Sequence, residues 1–288
     1  MSTITIFCKS YRNDLERAVK LVESLRKFNA DSLPLYISVP ASDLNIFRER
    51  IGTDITWLTD EEIIGSNPDI NQDKYRALPG QLSQQIVKAE FWRINPAENY
   101  VCVDSDMRFI RNFYQTDFLS PDGTPYTILH EGKAFLEFCL SSRLDDVIEN
   151  FEETARSMQQ RFQRNGPLYN FGPFPVIWSA KVWSTLAAVL HNEGSNLLDA
   201  IVAYPHEASW YGETLLKYRP IELLPKEPVF KAYLFLEEYE RDLRAGMDEA
   251  ALARLYLGVV YQSNWYPKRL QPLKRLAYKI KRQLKKHL

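Results

Sequence analysis

The segment YVCVDSD, residues 100–106, runs from four apolar residues straight into two carboxylates. A short apolar run rich in Tyr and Val reads as a strand covered on both faces, the pattern of a parallel sheet flanked by helices. In such sheets ligands bind beyond the carboxyl ends of the strands, which is where Asp104 and Asp106 fall. Two hard oxygen ligands at D-x-D spacing suit Mg²⁺ or Mn²⁺ shared with a diphosphate, which completes the shell with its own oxygens. The tripeptide alone also occurs as a strand-end turn, so the buried strand before it carries the weight.

Upstream, the apolar period alternates between two and 3.6. Residues 4–8 (ITIFC) read as a strand, and residues 12–28 carry Leu15, Ala18, Val19, Val22 and Leu25 as a helical stripe. Residues 33–39 give a second strand, followed by a short helix with Ser42 or Asp43 as N-cap. Residues 55–58 give a third strand, and a helix over residues 81–94 leads into the 100–106 segment. This βαβαβ order predicts an α/β fold with a mainly parallel central sheet flanked by helices. Downstream, residues 126–129 read as a short strand and residues 135–165 as a helical insertion or lid. NFGPFPVIWSA reads as a turn feeding a strand, residues 182–191 as a helix, and PHEASWYGETLLKY as a loop entering another helix. The expectation is one domain over residues 1–266 and a separate tail over residues 267–288.

The 288 residues hold 36 Lys+Arg against 37 Asp+Glu, with 45% hydrophobic and 25% charged side chains, which excludes global disorder and a fibrous chain. The average hides an asymmetry. Residues 268–288 contain nine Lys+Arg and no acid, leaving 27 basic and 37 acidic side chains, a net of −10, in residues 1–267. In the tail, Leu273, Leu276, Ala277, Ile280, Leu284 and Leu288 share one helical face, with Pro272 suited to the first turn. A basic helix with an apolar stripe suits an anionic membrane surface. A solvated helix packed on the domain is the plainer alternative, and an acidic body disfavours nucleic acid. The longest uncharged stretch, residues 166–180, is broken by prolines and glycines and is no membrane span. Without a secretory pattern at the N-terminus, and with Cys8, Cys102 and Cys139 forming no CxxC, the expected location is the cytoplasm, peripheral at the inner face of the plasma membrane.

Residues 83–113, SQQIVKAEFWRINPAENYVCVDSDMRFIRNF, resemble the D-x-D region of GT-A-fold glycosyltransferases, especially the glycogenin-like family 8 branch. That branch has a helix with K-x-x-x-W, a Tyr-led apolar strand, D-x-D and an Asn-containing turn, matched by Lys88, Trp92, Tyr100, Asp104, Asp106 and Asn112. YNFGPFPVIWSAKVW is similar to the family's N-S-G-V-F strand through Asn170 and Gly172. WYGETLLKY is similar to its D-Q-x-x-L-N helix start, with Glu213 near the Gln and Gly212 where Asp is usual. Residues 13–29 resemble its first helix. The ordered motifs cover about residues 3–220 at low identity, as in a bacterial offshoot that builds a surface glycan.

The resemblance implies a GT-A-like domain that moves a sugar from a nucleoside-diphosphate donor, UDP-linked, to a glycan or glycolipid. Asp104 and Asp106 would hold Mn²⁺ or Mg²⁺; Ser10, Tyr11, Gln85, Lys88, Ser105, Asn170 and Gly172 would hold the donor. Gln84 is an alternative to Gln85. Lys88 would assist at the phosphates or sugar, and Glu207 or Glu213 would take the acceptor proton or shield an oxocarbenium-like state. The family's third metal ligand, a His in H-F-x-G-x-x-K-P-W, falls here at Tyr261 or Gln262, so His130 and His206 are the alternatives. The aromatic residues Trp178, Trp183, Trp210, Tyr211, Trp265 and Tyr266 could stack on sugars or simply fill the core. Two rival readings stand beside this one. A haloacid-dehalogenase-type phosphatase also uses D-x-D, but near the chain start and with Thr or Val where Met107-Arg108 follow here. A non-catalytic sugar-binding scaffold would not need Asp104, Asp106 and Lys88 together.

Overall fold

The computed structural model describes residues 4–262, so the tail over residues 267–288, with Trp265 and Tyr266, lies outside the described residues. The first half builds the alternation its periodicity implies: β1 (Ile4–Lys9), α1 (Leu15–Phe28), β2 (Leu35–Val39), α2 (Leu44–Ile51) and β3 (Thr56–Thr59). Helices α3 (Asp60–Gly65), α4 (Gln72–Arg76) and α5 (Gly80–Glu90) then carry the chain to β4 (Asn99–Asp104) and β5 (Met107–Phe109). The second half comprises β6 (Tyr126–Ile128), α6 (Lys133–Ser141), α7 (Asp145–Arg161), β7 (Val176–Ser179), α8 (Ala180–Asn192), α9 (Leu197–Ala203) and α10 (Glu207–Tyr218). It closes with β8 (Leu224–Lys226), β9 (Phe230–Tyr233), α11 (Leu236–Arg244), α12 (Glu249–Leu252) and β10 (Gly258–Tyr261).

The central sheet has the order β3-β2-β1-β4-β7, parallel except for β7, which runs antiparallel to β4. The chain steps outward from β1 to β3 and then crosses back to place β4 on the other side of β1. The switch point of the sheet, where a crevice opens at the carboxyl ends, therefore lies between β1 and β4. In that pair Lys9 stands opposite Asp104. Met107–Phe109 and the strands β9 and β10 form a separate sheet of order β5-β10-β9, and β6 pairs with β8.

Side-chain alternation divides the core into two layers. Ile4, Ile6 and Cys8 of β1, with Val101 and Val103 of β4, face α1 and its Ala18, Leu21, Val22 and Leu25. Phe7 of β1 and Tyr100 and Cys102 of β4 face the other way, toward Ile86 and Val87 of α5, Trp183 of α8 and Trp210 of α10. By the same alternation Lys9 and Asp104 belong to this second face. Trp178, Trp183, Trp210 and Tyr211 are all buried in this layer, so these aromatics pack the core and are not sugar platforms. Each such ring removes roughly 150–250 Å² from water, a gross gain of about 4–6 kcal/mol.

Two local expectations differ. Asp43 precedes α2, but its side chain caps nothing there: it accepts from the Arg12 backbone N–H at 2.8 Å and pairs with the Arg12 guanidinium at 3.3 Å. A stronger partner across the fold displaces the local cap, and so pins the loop after β1. Residues 135–164 are two helices broken at residues 142–144, where Arg143 takes a left-handed φ of 54°. The strand at 126–128 pairs only with β8, outside the central sheet. Among the described residues no helix is long and apolar enough to cross a membrane.

Candidate functional site

Helix α5 is buried over six consecutive residues, Gln85 to Glu90, so its polar side chains there must find partners inside the protein. Glu90 pairs with Arg93 at 2.6 Å and accepts from Asn67 at 2.9 Å. Lys88 reaches the end of β4: its Nζ lies 2.5 Å from Asp104 Oδ1 and 3.6 Å from Glu207 Oε1. The same ammonium sits 4.2 Å above the centre of the Phe174 ring. Glu207 opens α10, where the helix dipole favours a carboxylate. Three segments far apart in sequence thus converge on one buried ammonium shared by two carboxylates.

Burial opposes charge on Lys88, but Asp104 and Glu207 together hold it protonated well above the ordinary lysine range. Burial pushes the Glu207 carboxyl above the usual carboxylate range, with Lys88 pulling against it. Asp104 keeps about a third of its side chain exposed (32%), so it is the member that meets solvent. Cys8 and Cys102 lie beside this cluster, fully buried. Burial first, and the Asp104 charge with it, pushes both thiols up, so neither is an available thiolate.

The carboxyl ends of β1, β2 and β3 add a second buried cluster that the sequence reading missed. Lys9 Nζ pairs with Asp60 at 2.8 Å and donates to the Ser10 carbonyl at 2.5 Å, while Ser38 Oγ donates to Asp60 at 2.5 Å. Burial pushes the Asp60 carboxyl up against the pull of Lys9. The available signal was a lysine closing the apolar run ITIFCK and an acid following TWLT, both at strand ends.

The other predicted donor residues divide. Ser10 and Gln85 are buried, and Ser10 Oγ and Gln85 Oε1 have no hydrogen-bond partner. A buried oxygen without a partner costs about 1–3 kcal/mol. Tyr11 is 44% exposed on the loop after β1, and Ser105 is buried in the turn between β4 and β5. Asn170 Oδ1 accepts from the Gly172 N–H at 2.8 Å, and the Gly172 carbonyl accepts from His130 Nε2. His130 Nδ1 in turn accepts from the Gly132 N–H at 3.0 Å, which fixes the Nε2–H tautomer and engages both ring nitrogens. His130 is therefore a loop anchor and not a free third metal ligand. Glu213 is also spoken for: its carboxylate takes a two-pronged pair from Arg164, at 2.6 and 2.9 Å, and is 2% exposed. Of the two candidate carboxylates, only Glu207 shares the Lys88 site. Gly212 stands where the resemblance expects Asp because Phe171 fills that space: a Cβ there would lie 2.0 Å from the ring.

Among the described residues no three His, Cys, Asp or Glu side chains gather as metal ligands. Asp104 and Asp106 do not make a closed protein-only site, but Mg²⁺ is commonly held by one or two carboxylates with substrate phosphates completing its shell. Carboxylates are the hard oxygen donors such a metal takes, and Asp104, one oxygen of which is paired with Lys88, is partly open to solvent.

Comparison with solved structures finds a similarity to mouse xyloside xylosyltransferase 1 in its apo form, at a TM-score of 0.45 and 9% identity over 92% of this chain and 99% of that one. No curated protein matches the sequence. A family model described as a family of unknown function, DUF6492, matches residues 3–266, and the chain belongs to that family.

Proposed function

We propose that this protein is a glycosyltransferase that moves a sugar from a nucleoside-diphosphate donor, UDP-linked, to the hydroxyl of a glycan or glycolipid. The observation that carries the reading is the Lys88 ammonium between Asp104 and Glu207, at the edge of the sheet where ligands bind. The bond from the anomeric carbon to the β-phosphate oxygen breaks as a bond to the acceptor oxygen forms. The acceptor proton needs a base, and the leaving diphosphate and the developing sugar cation need opposite charges close by.

Glu207 is the group suited to take that proton: burial raises its affinity for it, and Lys88 pulls toward the anionic form. Lys88 is the positive charge nearest the phosphates, held in place by Asp104 and the Phe174 ring. Ser10 Oγ and Gln85 Oε1 supply hydrogen bonds to the donor, which their present lack of partners leaves open. When bound on Asp104 and Asp106, Mg²⁺ or Mn²⁺ would supply further positive charge to the diphosphate. Residues 267–288 would hold the enzyme at the anionic inner face of the plasma membrane, raising its effective concentration at a lipid-borne acceptor.

Two measurements test this. Thermal shift with UDP, GDP, ADP and CDP, each with Mn²⁺, Mg²⁺ or a chelator, should show metal-assisted stabilisation by one nucleotide, lost in Asp106→Ala. At a hundredfold excess over Kd the gain is about 2.7 kcal/mol. A cooperatively melting protein that no nucleotide shifts would sink the transferase reading. Deleting residues 267–288 should abolish sedimentation with phosphatidylglycerol vesicles while donor hydrolysis persists; unchanged sedimentation would remove the membrane role.

A further inference from the structure

A cavity of about 1060 Å³ lies between helices α6 and α7, strand β9 and the loop that joins α12 to β10, and none of the cluster around Lys88 lines it. Its walls are unusual for so large a hollow. Phe135, Phe138, Phe151, Tyr169 and Tyr256 all face it and all are only half-buried, although such rings normally complete a core. Ionised groups line it as well: the Lys231–Glu238 pair at 2.8 Å is mostly buried, and Glu131, Lys133 and Glu227 are exposed to solvent. A hydrocarbon chain laid against the Lys231–Glu238 pair would take away its remaining water and offer no hydrogen bond in return. A sugar ring offers an apolar C–H face for each aromatic plane and a rim of hydroxyls for each charged neighbour.

The cavity shares a wall with the Lys88 cluster. Asn170 and Pro173 line it, and the next residue, Phe174, carries the Lys88 ammonium on its ring at 4.2 Å. That wall is held firmly, since His130 bonds to Gly172 on one side and to Gly132 on the other. We infer that this cavity is an acceptor-glycan site, binding about two or three sugar rings by aromatic stacking, with the reacting hydroxyl delivered past the 170–174 wall. The inference rests on the transferase reading and names the acceptor as carbohydrate at the protein surface, whatever carries it.

The test uses the full chain, with saturation-transfer NMR and calorimetry against defined di- and trisaccharides of glucose, galactose, N-acetylglucosamine and xylose. Two variants are compared with wild type: Phe135→Ala, which removes a stacking plane, and Ala134→Trp, which fills the cavity from an exposed helix position with no packing lost. UDP binding is measured in parallel on all three. At least one saccharide should bind wild type, with Kd raised roughly three- to tenfold in Phe135→Ala and binding lost in Ala134→Trp, while UDP affinity is unchanged. Saccharide binding that Ala134→Trp leaves intact would place the glycan elsewhere and overturn the proposal, as would a panel in which nothing binds. Binding of a polyprenyl phosphate, blocked by Ala134→Trp, with no saccharide bound would replace the glycan with a lipid. Saccharide binding in the cavity without any nucleotide binding would remove the transferase reading and leave a glycan-binding site standing.

Discussion

Replacing Lys88 with Met keeps the length of the side chain and removes the charge on which Asp104 and Glu207 both depend. Lys88 and Glu207 are 4% and 10% exposed, whereas Asp104 is 32% exposed and has water as an alternative partner. Breaking a buried pair by removing one member costs about 3–5 kcal/mol, most of it the stranded charge left behind. Here the stranded charge is Glu207 while Asp104 is partly rescued by solvent, so the low end applies, about 3 kcal/mol at pH 8. That is a large share of the roughly 5–15 kcal/mol that stabilises a native domain. Burial already lifts Glu207 above the usual carboxylate range, and losing the ammonium lifts it further. A folded-state value raised above the unfolded one means stability that is present at low pH and lost as pH rises through the folded value. The deficit of Lys88→Met should therefore be greatest at pH 8 and shrink toward pH 5, as Glu207 takes up a proton. Urea unfolding followed by fluorescence of the buried Trp178, Trp183 and Trp210 reads this directly, as a midpoint lowered by about 1 M at pH 8. The double variant Lys88→Met/Glu207→Gln should recover most of the loss. A variant as stable as wild type at pH 8, or a deficit that grows on acidification, would refute the shared-ammonium account.

Glu213→Gln breaks the buried pair with Arg164 and should cost about 3 kcal/mol in unfolding experiments, with nucleotide binding retained by the folded fraction. Gly212→Ala forces a methyl into the Phe171 ring and should destabilise by about 3 kcal/mol or prevent folding; adding Phe171→Ala should restore a cooperative melt. Ser10→Ala removes an oxygen without a partner, so it should leave the melting temperature unchanged or slightly raised while weakening the stabilising nucleotide about fivefold in calorimetry. Turnover should rise with pH on its acid limb as Glu207 ionises, and Glu207→Gln should flatten that limb at a much lower rate; a limb unchanged in that variant would assign the base to another group.

The alternating architecture was legible because it is written in periods of two and 3.6. The strands at residues 4–9, 35–39, 56–59 and 99–104 and the helices at 15–28, 44–51 and 80–90 follow from apolar spacing, which burial on a sheet enforces locally, whereas the short helices at 60–65 and 72–76 were not read from it. Asp104 was legible for the same reason, as the first carboxylate after a buried strand. Asp43 and the break at residues 142–144 were not, because a cap or a helix end gives way when a tertiary partner or a packing position competes.

What the sequence by itself determined is the order of elements and which strand ends carry polar groups, since each rests on neighbours a few residues away. It offered Glu207 and Glu213 on equal terms, six residues apart on one helix. Only the tertiary structure separated them, by bringing Lys88 to one and Arg164 to the other. It alone joined Lys9 to Asp60 and set the 170–174 loop between the Lys88 cluster and the cavity. These pairings belong to segments tens of residues apart, and the energy of a buried charge depends on what the rest of the fold places beside it.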